Sequence, residues 1–207
     1  MAVAVAVAES AERETKGERT RRRIMAEARA MIEDMGIDAI SQDAVAKKVG
    51  ITQSALRHHF PTRESMFDAI FDHVFRGFYR AAEHILLEPG HDPRQRLMKL
   101  CTLHLNYAMT ESDRVALQSF AHYVFNPDLL SRQSSWHHWI AGHYAALLGA
   151  IRPDLDEATR HGRALAILTI SIGAWITVGR SRPAWTTAPG ADAKTALRAA
   201  IAHLIDS

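Results

Sequence analysis

The chain has 207 residues, of which 47% are apolar, and its formal net charge at pH 7 is +2. This length and apolar content suffice for one helical protein or two small domains with a hydrophobic core, so disorder is not expected. Because the net charge is close to zero, a polyanion-binding surface has to come from local clusters of basic residues. The single cysteine, Cys101, excludes an intrachain disulfide and is expected to lie buried in a protein of the reducing cytoplasm.

Residues 1–17 are expected to form a flexible tail, because their Ala/Val-rich start lacks the basic region and the length of a secretory signal. The first helix follows, with Gly36 as its expected C-cap. Its start is open: either Thr20 caps it, or it begins near Gly17. In the first case residues 21–23, all arginine, would crowd the positive end of the helix, which favours an external anion; in the second they are solvated. The apolar face recurs at helical spacing and consists of Ile24, Ala28, Met31 and Met35.

Two short helices separated by a glycine come next. Ser41 is expected to cap the first, Gly50 to form the turn and Thr52 to cap the second. The side chains expected to face the core are Val45, Ala46, Val49, Ala55, Leu56 and Phe60. The polar side chains expected to point outward from the second helix, at three- and four-residue spacing, are Gln53, Ser54, Arg57 and His58.

This pair of helices has the pattern of a helix-turn-helix, whose second helix enters the DNA major groove. Basic residues cluster around it: residues 13–29 hold seven basic side chains against three acidic ones, and residues 41–63 hold four against one. Gln53 can pair with adenine, Arg57 with guanine and Ser54 with either base. Thr52 is placed to contact a phosphate, and His58 and His59 can donate to phosphate.

Three segments, "TRRRIMAEARAMIEDMGIDAIS", "AVAKKVGIT" and "ALRHHFPTRESMF", make residues 20–78 resemble the DNA-binding domain of the TetR family of transcriptional regulators. The resemblance implies phosphate contacts at Thr52, His59 and Arg63. Arg57 departs from the family, which commonly has tyrosine there. The complete set of predicted DNA contacts is Arg22, Ser41, Thr52, Gln53, Ser54, Arg57, His58, His59 and Arg63.

The rest of the chain is also helical, so the sequence predicts an all-α protein of about nine helices. Residues 18–80 are expected to form a three-helix helix-turn-helix DNA-binding domain, with the motif itself at about 41–60. Residues 81–207 are expected to form a larger ligand-binding and dimerisation domain. The expected helix caps downstream are Asp92, Asn126 and Asp154. The buried face predicted for the long helix after residue 126 is Leu129, Trp136, Ile140, His143, Leu147 and Ile151.

The helix expected from Asp154 to about Arg180 is apolar on nearly all sides after Arg163. Because such a helix must be covered on two faces, a homodimer interface of four helices is preferred over a monomer. The companion helix is expected over residues 191–205. The predicted dimerisation residues are Gly162, Ala166, Gly173, Leu197, Ile201 and Leu204.

Aromatic and polar-tipped side chains on apolar faces suggest a pocket for a small, mainly hydrophobic or aromatic effector. The candidate ligand-binding residues are His104, Tyr107, Phe120, Tyr123, Trp136, His143 and Trp175, each of which could instead be ordinary core. The resemblance implies that such a ligand moves the helix that begins at Thr62, and so changes the separation of the two recognition helices on a palindromic double-stranded operator. The resemblance also implies that the protein represses transcription and that the effector relieves this repression.

Other classes of function have less support in the sequence. No two of the twelve histidines lie three or four residues apart, so no local metal site and no cofactor are predicted, although ligands from distant helices stay possible. A nucleophile elbow, a phosphate loop and a dinucleotide fingerprint are missing, so an enzyme is not expected. A helical small-molecule carrier without a DNA function is the main alternative, and it would need no basic N-terminal region. No segment reaches the length of a membrane span, so a cytoplasmic protein is expected.

Overall fold

The computed structural model describes residues 14–110, 113–124, 127–179 and 192–207. Within these ranges every regular element is helical, which confirms the all-α prediction. The nine α-helices of the described residues are α1 Lys16–Met35, α2 Gln42–Val49, α3 Gln53–His59, α4 Arg63–Leu87, α5 Pro93–Thr110, α6 Asp113–Val124, α7 Pro127–Ile151, α8 Glu157–Thr177 and α9 Ala193–Asp206, with a 3-10 turn at Ile37–Ala39. No helix among the described residues is long and apolar enough to cross a bilayer.

Contacts divide the chain into two compact units after Asp72, earlier along α4 than the boundary expected near residue 80. The first unit contains α1 to α3 and the start of α4. Helix α4 continues without interruption into the second unit. The fully or nearly fully buried side chains of the first unit are Ile24, Ala28, Ile32, Ile40, Val45, Ala46, Val49, Leu56, Phe60, Met66, Phe67, Ile70 and Phe71.

Helix α1 begins earlier than Thr20, because Thr15 is its N-cap. The Thr15 hydroxyl accepts from the amide of Glu18 at 3.2 Å, and the Glu18 carboxylate accepts from the Thr15 amide at 2.8 Å, a reciprocal capping box. The alternative start near Gly17 is therefore correct. The predicted apolar face of α1 is wrong in two respects. Met35 was expected to be buried but is 51% exposed, and Ile32, which was not predicted, is completely buried. Gly36 caps the helix with a positive φ of 86°, although outside the left-handed helical region.

The turn between α2 and α3 agrees with the sequence. Ser41 caps α2 by accepting from the amide of Ala44, and Thr52 caps α3 by accepting from the amide of Ala55, each at 3.1 Å. Gly50 adopts the left-handed conformation, with φ 73° and ψ 38°. These three local features fix the path of the chain between the two helices.

Gly50→Ala is expected to destabilise the protein by about 1–2 kcal/mol, since a β-carbon is unfavourable in the left-handed region. Nothing lies within 4 Å of the added carbon, so the cost is purely conformational. Gly142→Ala is the matched control: this glycine is exposed inside α7 with open space around it, and alanine there should stabilise the helix by roughly 0.5–1 kcal/mol. Chemical denaturation measures both values, and an unchanged free energy of unfolding for Gly50→Ala would contradict the conformational argument.

The second unit is a helical bundle around a core shared by α5, α7, α8 and α9. Cys101 is fully buried in this core, as predicted, and burial raises the pKa of its thiol to about 12. Three arginines, from α5, from the residue that follows α7 and from α8, hold the end of α9. Arg94 binds the Asp206 carboxylate with two hydrogen bonds of 2.8 and 2.6 Å, Arg152 donates to the Asp206 carbonyl, and Arg163 donates to the Leu204 carbonyl.

Two predictions for the second unit are wrong. The N-cap of α8 is Asp156, which accepts from the amide of Thr159 at 2.7 Å, while Asp154 instead pairs with Arg152 at 2.7 Å. The buried face of α7 is displaced by one residue, because the fully buried positions are Ile140, Tyr144 and Leu148 and the predicted Trp136, His143, Leu147 and Ile151 are only partly buried. The Asp92 cap is confirmed by a bond of 2.8 Å from the Gln95 amide. Asn126, Arg180 and Ala191 lie outside the described residues, as does the side chain of Leu129.

Candidate DNA-binding surface and ligand cavity

Helix α3 has one inward and one outward face. Leu56 is completely buried, and Phe60, the C-cap residue, is 1% exposed. The outward side chains Gln53, Ser54 and Arg57 are exposed as predicted, and no hydrogen bond or ion pair engages them within the described part of the chain. They are therefore available to an external partner. We call these three residues the recognition strip.

The residues flanking the recognition strip are partly exposed. His58 is exposed and His59 is half-buried, with their rings edge to face at 5.6 Å. Thr52 and Ser41 are exposed, and their hydroxyls already serve as helix caps. Ala55 was expected in the core but is exposed, because it lies on the outer side of α3 beside the recognition strip.

Two arginines that the sequence assigned to DNA have partners inside the protein. Arg22 forms an exposed ion pair with Glu14 at 3.1 Å. Arg63 donates from Nε to the Ile40 carbonyl at 2.7 Å and stacks on the Phe67 ring at 4.5 Å. A phosphate contact at either position stays a prediction. Because α1 starts at Lys16, residues 21–23 lie beyond its first turn and outside the positive end of the helix. The helix end therefore gives no reason to expect a bound anion at these residues.

An enclosed cavity lies in the second unit, and we call it the aromatic cavity. Its volume is about 30 Å³, roughly the space of one water molecule. Four of the predicted ligand-binding residues line it: His104, Tyr107, Phe120 and Trp175. The sequence missed seven others, namely Val74, Phe75, Phe78, Tyr79, His137, Ile140 and Ile172. Several of these lie on α4, whose continuous apolar stripe gives no signal that separates a cavity wall from ordinary core.

The three remaining candidates do not line the aromatic cavity. Tyr123 and Trp136 contact the lining residue Phe75, with ring centres 6.5 and 5.4 Å from that of Phe75. His143 contacts the ring of Trp139, which is not a lining residue, at 4.7 Å. Tyr123 and Trp136 can thus support the wall, whereas His143 is separate from it.

The lining of the aromatic cavity is uncharged. None of its eleven described lining residues is acidic, and none is lysine or arginine. His104 is buried, and its Nδ1 lies 3.2 Å from the Tyr144 hydroxyl. Desolvation lowers the pKa of His104 to about 3, with a further contribution from His137, and burial also lowers the pKa of His137. Both imidazoles are therefore neutral at pH 7, and each has one donor and one acceptor nitrogen.

Helix α8 carries two large apolar side chains on its solvent-exposed face. Leu165 is 61% exposed and Ile176 is 59% exposed. Of the predicted dimerisation residues, Gly162 is exposed, while Ala166, Gly173, Leu197 and Leu204 are half-buried. Ile201 is completely buried against its own chain, and the subunit contact predicted for it stays a prediction. Leu165 and Ile176 were not in the predicted set.

The segment that carries the recognition strip matches a known protein family. The family model "Bacterial regulatory proteins, tetR family" matches residues 24–70, which span α2, α3 and the turn between them. Residues 24–70 therefore match the DNA-binding segment of the TetR family. Within residues 24–70 lie all of the predicted DNA contacts except Arg22.

Known proteins resemble this chain in different ways. A stretch of 69 residues is 33% identical to the nucleoid occlusion factor SlmA of Marinobacter nauticus, and it spans 33% of this chain and 35% of that relative's length. Similar folds occur in a transcriptional regulator from Rhodococcus sp. Rha1 (TM-score 0.71, 21% identity, 89% of this chain and 93% of that one). They occur also in a putative transcriptional regulator from Saccharomonospora viridis in complex with choline (TM-score 0.70, 20% identity, 91% and 96%). A third similar structure is that of AibR in complex with isovaleryl coenzyme A and operator DNA (TM-score 0.66, 14% identity, 88% of this chain and 95% of that one covered).

Proposed function

We propose that this protein is a sequence-specific transcriptional regulator of the TetR family that represses from a palindromic operator as a cytoplasmic homodimer and is released by a small effector. The observation that carries the proposal is the recognition strip: Gln53, Ser54 and Arg57 are exposed and unengaged on the second helix of a helix-turn-helix. These side chains have the hydrogen-bonding groups that read adenine and guanine edges in the major groove. The proposal assigns no enzymatic activity to the chain.

The aromatic cavity is the proposed effector site. Its uncharged lining favours a mainly hydrophobic or aromatic molecule with hydrogen-bonding groups for the two neutral imidazoles, because an unpaired buried charge is costly. The cavity has room for about one water molecule, so an effector has to displace side chains of the wall. Val74, Phe75, Phe78 and Tyr79 supply part of that wall from α4, the helix that also enters the N-terminal unit. Displacement of α4 is therefore the proposed route from effector to DNA release.

The homodimer is proposed from the exposed face of α8. Leu165 and Ile176 stay more than half exposed on one side of α8, and a second copy of the chain would cover them. In the dimer two copies of α3 would enter successive major grooves, which are about 34–36 Å apart along the duplex.

Selection of duplexes from a random library and from genomic fragments tests DNA binding directly. We expect the purified protein to enrich a palindrome and to bind it with an affinity that falls steeply as salt rises, because phosphate contacts release counterions. An unrelated duplex of equal length is the control. Failure to enrich any duplex at low salt would favour the small-molecule carrier over the regulator.

Arg57→Ala is expected to cost about 1–3 kcal/mol of operator binding and to relax the preference for guanine at one position of each half-site. Arg57→Lys serves as the matched variant, since it keeps the charge but loses the planar fork that pairs with two acceptors of guanine. Fluorescence anisotropy with single-base operator variants measures both effects. Unchanged affinity together with unchanged base preference in Arg57→Ala would contradict the assignment of Arg57 to base recognition.

A further inference from the structure

Helix α3 is too short to fix its own orientation. It has seven residues, and Leu56 is its one buried side chain. Isolated helices of this length are unstable in water, and the last carbonyls of any helix need hydrogen-bond donors from elsewhere. The angle at which α3 presents the recognition strip must therefore depend on groups that hold its ends.

Two side chains from neighbouring helices hold the C-terminal end of α3. Arg21 of α1 donates from Nη1 to the His59 carbonyl at 2.6 Å, and its guanidinium lies 4.1 Å from the centre of the Phe60 ring. Gln42 of α2 donates from Nε2 to the Phe60 carbonyl at 2.7 Å. A cation is favourable at this end of a helix, where the carbonyls concentrate partial negative charge. We call Arg21 and Gln42 the carbonyl clasp.

A related contact holds the preceding helix. Arg23 of α1 donates from Nη2 to the Val49 carbonyl at 2.6 Å, at the last residue of α2. Helix α1 therefore supplies a guanidinium donor to the C-terminal end of each helix of the helix-turn-helix. Neither guanidinium needs DNA to explain its position.

We propose that Arg21 and Gln42 are positioning residues for base recognition, acting through α3 and not by contact with DNA. This inference rests on the proposed DNA-binding function. Arg21 combines a hydrogen bond with stacking on Phe60, which requires a planar guanidinium and cannot be reproduced by the ammonium of lysine. The clasp therefore determines how well operator is distinguished from other DNA, and the overall attraction to phosphate is independent of it.

Arg21→Lys tests the proposal because it keeps the positive charge and replaces the planar guanidinium by an ammonium group. We expect the affinity for the selected operator to fall roughly tenfold, because lysine cannot combine the hydrogen bond with stacking on Phe60, while the affinity for an unrelated duplex and the salt dependence stay unchanged. Arg29→Lys is the control on the same helix, since Arg29 pairs with Glu33 on α1 itself. Full operator affinity in Arg21→Lys would overturn the proposal. A second outcome would also overturn it: Arg21→Ala loses the same affinity for operator and for the unrelated duplex, and the dependence of its affinity on salt is weaker by about one phosphate. That result would identify Arg21 as a phosphate contact.

Gln42→Met provides a second variant without any change in charge, and the same selective loss of operator affinity is expected. Hydrogen exchange of the DNA-free variants gives a readout that does not depend on DNA. Amides at the C-terminal end of α3, such as that of the C-cap residue Phe60, should exchange faster in Arg21→Lys and Gln42→Met, while amides of α8 should not change. If the wild type binds no duplex, the proposed function fails; if α3 exchanges at the wild-type rate in the two variants, the clasp fails.

Discussion

The double variant Leu165→Glu, Ile176→Glu is expected to be a folded monomer that has lost most of its operator affinity. Both side chains are more than half exposed on α8, so the substitutions should leave the fold of one chain intact. In a dimer the two glutamates of each copy would be buried against an apolar surface, which is strongly unfavourable. Loss of the second recognition helix removes the gain from bivalent binding, about a hundredfold to ten-thousandfold in affinity.

Light scattering and operator titration measure the two parts of this prediction. Leu87→Glu is the matched control, because Leu87 is 82% exposed and ends a different helix, α4. The control should keep the mass and the affinity of the wild type. A double variant that remains dimeric would place the subunit interface on another surface.

The second large effect is expected for Leu56→Ala. Leu56 is completely buried and is the main anchor of α3 to the core of the N-terminal unit. Truncation of a buried leucine costs about 2–5 kcal/mol through lost transfer energy and the cavity left behind. Because a whole domain is stable by only about 5–15 kcal/mol, we expect a large loss of folded N-terminal unit and of DNA binding.

Hydrogen exchange suits this measurement, since all four tryptophans follow residue 72 and their fluorescence reports on the other unit. Amides of α1 and α2 should lose protection in Leu56→Ala, while those of α7 should not. Lys48→Ala, an exposed substitution on α2, should change stability by less than about 0.5 kcal/mol. Full protection of α1 in Leu56→Ala would contradict the role of Leu56 as an anchor.

The parts of the structure that could be predicted from sequence are those determined locally. Ser41, Gly50 and Thr52 specify a cap, a left-handed turn and a second cap within twelve residues, and each behaves as expected. The outward direction of the recognition strip follows from the helical period alone. Competition between equivalent residues led to errors: Asp154 and Asp156 are both plausible caps, and Arg152 engages the first of them.

Tertiary contacts account for the features that the sequence could not supply. Helix α7 is apolar around much of its surface, so periodicity alone did not distinguish Tyr144 from His143 as the buried position. The carbonyl clasp was missed because a side chain that donates to a backbone carbonyl leaves no pattern in the partner residue. The wall of the aromatic cavity was found only in part, since Phe75 and Tyr79 belong to an apolar stripe that reads as core.

The sole cysteine has a practical consequence for measurements on the proposed dimer. Cys101 is inaccessible and its thiol stays protonated at neutral pH, so reagents that require a thiolate should leave the native chain unlabelled. A cysteine introduced at exposed Lys48, at the end of α2, would then be the single labelled position in each subunit. Spin labels there would report the distance between the two helix-turn-helix motifs directly, with and without a candidate effector.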